Sequence, residues 1–223
     1  MQKMIFWDWT GTLADESRLD AAVCRTMEAE LAQANGISKD RAAARFQTYL
    51  KDLENTWPWH DYLRHAHHFG LNWRSSQEAH LSKLKLVPYA RKILLHARKK
   101  GYKNILATNA VRAVVLLRLE YSEVETLFDA IVASDDAGAL KAEGRHFTCI
   151  SNLSPEDYPC CFSVGDNPVQ DIRPAKKLGL QTIYCKFGRE LTHYHSHHLS
   201  DNHDTSVDSD YQVQELRDIE SII

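Results

Sequence analysis

The sequence predicts an α/β fold: a doubly wound parallel sheet, interrupted after its first strand by an all-helical segment. Three observations carry this reading. The apolar run Met4-Ile5-Phe6-Trp7 ends on Asp8 and a Gly-Thr turn, the form of a short buried strand that delivers a carboxylate to its C-terminal tip. From Val87 onward, apolar strand-like runs alternate with helical ones, as parallel strands joined by crossover helices do. Between Leu13 and Val87 there is no strand-like alternation at all.

The first strand is followed by helices. Ser17 to Asn35 carries Leu19, Val23, Met27 and Leu31 on one face and stops at Gly36. A second helix is expected from about Ser38, a plausible N-cap, to about Asn55, with Ala42, Phe46, Tyr49, Leu50 and Leu53 on its apolar side. Trp57 to Trp73 is dense in aromatics and histidines, and forms either the wall of a closing cleft or the insert's own core. A fourth helix is expected over about Ser75 to Lys85. The insert spans roughly seventy residues, enough for a small domain and far beyond an ordinary strand-to-helix connection. The expected division is residues 1–13 and 87–223 as the sheet core, with 14–86 as a helical cap.

In the core, Pro88 opens a helix that Gly101 closes. Lys103 to Asn109 reads as a strand, then a helix to about Leu119 and a shorter one over Glu123 to Phe128. Asp129 to Ser134 is a strand, and Lys141 precedes a helix holding Phe147 and Ile150. Cys160 to Gly165 is a strand that ends at Asp166, followed by a helix from Pro168 to Leu178 with Gly179 as its stop. Gln181 to Lys186 is a fifth strand. Gly188 to Ser209 reads as a polar, His-rich loop, and a short strand at Tyr211 to Val213 leads to a closing helix.

Composition excludes some classes. A net charge of −3 argues against a generic nucleic-acid binder or anionic-membrane binder. No apolar run approaches the ~20 residues of a membrane helix. Five cysteines without Cys-x-x-Cys spacing fit buried thiols of a reducing compartment. The apolar opening ends too soon, at Asp8, for a signal sequence. A cytoplasmic protein is expected.

The strand tips converge on chemistry. Asp8, Thr108 with Asn109, Lys141 and Asp166 would meet at the C-terminal edge of the sheet, where open α/β folds bind ligands. Alone, Asp8 could be a nucleophile, a metal ligand or a helix N-cap. Together, two carboxylates, a hydroxyl and an ammonium form a coherent phosphate site. Asp8 and Asp166 could share Mg²⁺, a hard cation that favours oxygen ligands. Lys141 would neutralise phosphate charge and restrain Asp8, and Thr108 would hydrogen-bond a phosphoryl oxygen.

These segments resemble the haloacid dehalogenase-like (HAD) hydrolases, whose core is Rossmann-like. The first motif is matched by Asp8-Trp9-Thr10-Gly11-Thr12-Leu13, the second by Thr108-Asn109, and the fourth by Val164-Gly165-Asp166-Asn167-Pro168-Val169-Gln170-Asp171. Lys141 stands for the third, with Lys141-Ala142-Glu143-Gly144 in place of the usual Lys-Pro-Asp-Pro. The resemblance implies a phosphatase for a small phosphorylated metabolite, in which Asp8 attacks phosphorus and becomes an aspartyl phosphate. It implies that Mg²⁺ is held by the side chains of Asp8 and Asp166 and the backbone carbonyl of Thr10. Asp171 would support the metal or the lysine, and Asn167 would cap its helix.

One position departs from the pattern. Most family phosphatases carry an acid/base Asp two residues after the nucleophile; here that residue is Thr10. A positioned acid/base is worth ~10²–10⁴ in rate. Three readings follow: a slow phosphatase, one that borrows a proton donor from His60, His65, His67 or His68 of the insert, or a phosphate-ligand binder without turnover. Singly, each of those histidines also reads as an exposed polar position on an amphipathic helix. The pattern Asp-x-Thr-Gly-Thr-Leu also resembles the phosphorylation motif of P-type ATPases, where a Thr at this position still allows an aspartyl phosphate to form. A phosphonatase would need a cap lysine such as Lys51, Lys83 or Lys85, and nothing marks one out. A metal site in the histidine loop from His193 to His203 ranks below a solvated loop.

Overall fold

The structure is a computed structural model that describes residues 2–150, 153–187 and 207–223. The His193–His203 segment lies outside the described residues, as does most of the expected loop from Gly188 to Ser209.

Strand β1 (Met4–Trp7) is buried along its whole length. Period-2 alternation divides it between two cores: Ile5 and Trp7 face one side of the sheet, Met4 and Phe6 the other. The chain then enters the insert through a short strand that the sequence did not signal. Residues Ala14–Asp15 (β2) pair antiparallel with Lys85–Leu86 (β3), closing the neck of the insert. Two residues per strand are too few for a period to register.

Four helices lie between these strands: α1 (Ser17–Asn35), α2 (Lys39–Lys51), α3 (Tyr62–Phe69) and α4 (Trp73–Glu78). Gly36 ends α1 in the left-handed conformation that favours glycine, and Ser38 caps α2 through the amide of Arg41. Helix α2 stops at Lys51, short of the expected Asn55, which sits at a left-handed φ of 61°. Helix α4 starts before Ser75 because the side chain of Asn72 accepts the amides of Arg74 and Ser75. It ends at Glu78 rather than near Lys85, whose backbone goes to the neck ribbon. Trp59, Tyr62, His65 and Phe69 are buried, and the aromatic side of the segment packs in an apolar cluster that runs on into the sheet core through Trp7 and Val114.

Beyond the neck, α5 (Ala90–Lys99) leads to β4 (Lys103–Ala107), α6 (Arg112–Tyr121) to β5 (Ala130–Val132), and α7 (Ser134–Ala137) and α8 (Arg145–Thr148) to β6 (Phe162–Gly165). The expected helix over Glu123 to Phe128 is a single 3₁₀ turn, Glu125–Leu127. A π-helical turn, Pro168–Ile172, runs into α9 (Arg173–Leu178), followed by β7 (Gln181–Cys185) and β8 (Tyr211–Val213). The closing segment is 3₁₀, Leu216–Ser221.

Among the described residues, six parallel strands form one sheet in the order β5-β4-β1-β6-β7-β8. The chain moves outward from β1 through β4 to β5, then crosses back to β6 on the other side of β1. The point where strand order reverses therefore lies at the tip of β1, the place where open α/β sheets bind ligands. The Asp8 amide continues the pairing by donating to Val164 O at 2.9 Å, and Thr108 N donates to Val132 O at 3.0 Å. These bonds extend the β1–β6 and β4–β5 pairings one residue past the ends of β1 and β4.

Candidate active site

Asp8 is the first residue past β1 and Lys141 sits in a 3₁₀ turn, Lys141–Glu143, after β5 and α7. The Lys141 ammonium donates to Asp8 Oδ1 and, at 2.5 Å, to Asp171 Oδ1. All three side chains are buried. Burial pushes the Asp8 carboxyl above the usual range, with the Asp166 charge adding to it and Lys141 opposing. Asp171 is pushed up to about 7 by burial, against the pull of Lys141. Burial works against the charge of Lys141, but Asp171 and Asp8 outweigh it and hold the ammonium above the usual lysine range. One cation thus serves two carboxylates, and among the described residues no hydrogen-bond donor lies within bonding geometry of the buried Asp8 Oδ2.

Asp166 stands beside this pair. One oxygen from each of Asp8, Asp166 and Asp171 lies within 4.8 Å of the others. Three clustered carboxylates, one of them Asp8 with a buried oxygen left over, supply hard oxygens that fit a small divalent cation such as Mg²⁺. Two glycines make room for the cluster. At Gly11, where φ is +90°, a Cβ would lie 2.2 Å from Asp166 Oδ2; at Gly165 a Cβ would lie 2.2 Å from Asp171 Cγ.

The other expected residues arrive at the same edge. Thr108 is buried, and its hydroxyl accepts the amide of Ala110 at 3.1 Å. Asn109 holds the loops rather than facing outward: its Oδ1 accepts the Lys141 amide at 2.8 Å, and its Nδ2 donates to Gln170 Oε1 at 3.2 Å. Gln170 Oε1 also accepts the Ala142 amide at 2.9 Å, so Gln170 ties three loops together. Asn167 caps its helical turn by accepting from Val169 and Gln170 amides.

The family model for haloacid dehalogenase-like hydrolases matches residues 2–179, most of the chain. The chain belongs to that family. Over 199 residues it is 27% identical to the glyceraldehyde 3-phosphate phosphatase of Pyrococcus abyssi, covering 85% of this chain and 83% of that protein. Its fold is shared with a HAD phosphatase from Thermococcus onnurineus, at a TM-score of 0.80 and 24% identity over 99% of this chain and 97% of the other. It is also shared with L-2-haloacid dehalogenase from Xanthobacter autotrophicus, at a TM-score of 0.64 and 15% identity over 100% and 98% of the two chains.

In this haloacid dehalogenase-like hydrolase the side chain of Thr10 is engaged. Its hydroxyl donates to Glu16 Oε2 at 2.7 Å, while Trp9 Nε1 donates to Glu16 Oε1 at 2.6 Å. Glu16 is buried and paired with Arg118 Nη1 at 2.9 Å. Burial raises the Glu16 carboxyl above its usual range, against the pull of Arg118.

The histidines separate. His65, expected as an exposed polar position, is 1% exposed, with its Nε2 3.0 Å from the carbonyl of Trp59. Burial drops its pKa to about 4, so it is a neutral member of the insert's core. Its ring meets those of Phe46, Tyr49 and Tyr62, which explains why the helix buries it. His68 stacks on Tyr49 at 4.1 Å between centroids, His67 is exposed, and His60 packs edge-on against Trp59.

Sequence reasoning missed Glu16, Arg118, Gln170 and His146. Gln170 lies inside the fourth motif and was visible there. Arg118 had a signal too, a lone charge inside the apolar run Val114-Val115-Leu116-Leu117-Arg118-Leu119. His146 had none. Its Nε2 lies 3.1 Å from Thr108 O, and burial, with the nearby Lys141 charge, lowers its pKa to about 4.

Proposed function

We propose that this protein is a Mg²⁺-dependent phosphomonoesterase that acts on a small phosphorylated metabolite through an aspartyl phosphate on Asp8. The observation that carries the reading is the state of Asp8: one oxygen fixed by Lys141, the other buried beside Asp166 with no partner among the described residues. That is the arrangement a nucleophile needs if it is oriented by a cation and left one face for a ligand. The relative in Pyrococcus abyssi, a glyceraldehyde 3-phosphate phosphatase, supports a small phosphoester as the substrate class.

Asp8, Asp166 and the Thr10 carbonyl would hold Mg²⁺, which would stabilise negative charge on the transferring phosphoryl group. Lys141 restrains Asp8 in its attacking position and adds positive charge beside the phosphate. The Thr108 hydroxyl accepts from Ala110 and keeps its own proton to donate to a phosphoryl oxygen. A carboxylate oxygen of Asp8 bonds to phosphorus as the ester oxygen leaves; water then splits the acyl phosphate and restores Asp8. Residues 14–86 act as a cap that shields these steps from bulk water. The Thr10 hydroxyl, given to Glu16, does not supply the proton for either step. Both the protonation of poor leaving groups and the activation of water are therefore slow. The cysteines, mostly buried and outside any disulfide among the described residues, fit a reducing compartment such as the cytoplasm.

A steady-state survey of small phosphoesters, with and without Mg²⁺, tests this reading. Hydrolysis that needs Mg²⁺ and is lost in Asp8→Asn supports it. The engagement of Thr10 favours one alternative, a phosphate-ligand binder that does not turn over. Tight binding of a phosphoester with no hydrolysis, even of p-nitrophenyl phosphate, would establish the binder instead.

A further inference from the structure

Outside the phosphate site, Arg118 on helix α6 of the sheet core is a buried charge with several partners among the described residues. Its guanidinium points out of the core and gathers acceptors from the insert. Nη2 donates to Asp20 Oδ1 on α1 at 2.7 Å and to Gln77 Oε1 on α4 at 2.9 Å; Nε also reaches Gln77 Oε1, at 3.2 Å. Tyr62 of α3 donates to the same Asp20 oxygen at 3.0 Å, and the guanidinium carbon lies 5.7 Å from its ring centroid. Nη1 takes Glu16, at the neck of the insert.

Glu16 carries the contact onward to the first motif. Its two oxygens hold Trp9 and Thr10, the two residues that follow Asp8. The loop they belong to is tight: Trp9 O accepts the amides of Leu13 and Ala14, and Gly11 N donates to Ala14 O. A shift of Glu16 therefore moves the loop as a body. Three helices of the insert and the loop beside Asp8 are fixed through one side chain.

We propose that Arg118 and Glu16 are positioning residues that couple the seating of the insert to the metal site, so that the insert docks more firmly when Mg²⁺ is bound and Mg²⁺ binds more tightly when the insert is docked. The inference rests on the proposed Mg²⁺ site with the Thr10 carbonyl among its ligands. The coupling is reciprocal by thermodynamic necessity. A buried ion pair is a poor way to gain stability alone, since desolvation offsets much of the attraction. Its directional fork is a good way to fix one arrangement of several elements.

The test is Mg²⁺ affinity by calorimetry, with amide exchange of α1 and α4 measured with and without the ion. Gln77→Leu alters the network inside the insert and touches none of the metal-site residues. It is expected to weaken Mg²⁺ binding by roughly 3–30-fold. Glu16→Gln is expected to weaken it by roughly 10–100-fold, as loss of an outer partner of a metal site does. Thr10→Val keeps the side chain's volume and removes only the hydroxyl link, so it remains informative if a buried variant fails to fold. In the Thr10→Val background only the Trp9 link to Glu16 remains, so Gln77→Leu is expected to have a smaller effect than in the wild type, and Mg²⁺ is expected to slow exchange in α1 and α4 less. Unchanged affinity in folded Gln77→Leu or Thr10→Val, or additive effects of the two, overturns the coupling alone. If the wild type binds no Mg²⁺ at millimolar concentration, the metal reading falls and takes this inference with it.

Discussion

The hydroxyl of Thr10 donates to the buried carboxylate of Glu16 at 2.7 Å, and so the side chain two residues past Asp8 is committed to structure. A phosphatase of this family would ordinarily place an acid/base carboxylate at that position. Here the same space is organised around Glu16, already held by Trp9 and Arg118.

Installing the missing acid/base is therefore not a one-residue change. At saturating Mg²⁺, Thr10→Asp should raise turnover of alkyl phosphates, but by less than the ~10²–10⁴ a positioned acid/base provides. The new carboxylate would sit against Glu16, and like charges in a buried site repel. The double variant Thr10→Asp/Glu16→Gln should turn over faster than Thr10→Asp. Steady-state kcat on an alkyl phosphate and on p-nitrophenyl phosphate checks both points, with the larger gain on the alkyl ester.

Arg118 lies between two buried carboxylates. Replacing it with Met leaves Glu16 and Asp20 uncompensated and should cost about 3–5 kcal/mol of stability. The triple variant Arg118→Met/Glu16→Gln/Asp20→Asn should recover a large part of that loss. Urea denaturation of the three proteins decides it.

Gly11→Ala should separate folding from the metal site. The backbone there is left-handed, which costs a non-glycine residue roughly 1–2 kcal/mol. The larger effect is local, because the new methyl would overlap the Asp166 carboxylate and displace it. A folded Gly11→Ala protein should show a modest fall in melting temperature and a large fall in Mg²⁺ affinity.

His65 gives a pH signature. Its folded pKa, about 4, lies below the ordinary histidine value of 6.5, so between the two the unfolded chain binds a proton that the folded one does not. The stability it confers is full above the unfolded pKa and is lost as pH falls toward the folded pKa. Buried carboxyls with raised pKa values act in the opposite sense, so the comparison is with a variant. From about pH 7.5 to about pH 5 the wild type should lose about 2 kcal/mol more than His65→Gln. Equal losses in urea melts at the two pH values would refute the assignment.

Much of this was legible in the residues. The order of strands and helices, the position of the insert and the convergence of Asp8, Thr108, Lys141 and Asp166 follow from local patterns, because strand tips and turn residues are set within a few positions. The neck ribbon was not legible, since each of its strands is two residues long and its partner lies about seventy residues away. The network of Glu16 and Arg118 was not legible for a related reason. Its members are near one another only after the insert has docked, and an isolated Arg or Glu looks like a surface residue until the opposing face is known. His65 shows the same limit: a histidine among aromatics is exposed or buried according to what packs on its helix.

The central claim is that Asp8 is a nucleophile, and the most direct measurement is the mass of the protein after rapid acid quench during turnover of p-nitrophenyl phosphate with Mg²⁺. That leaving group needs little protonation, so attack can be seen whatever Thr10 does. The account predicts a burst of p-nitrophenol with a matching gain of one phosphoryl group, located at Asp8 by peptide mapping and absent in Asp8→Asn. Sustained hydrolysis with no phosphoryl adduct, and unimpaired by Asp8→Asn, would contradict it.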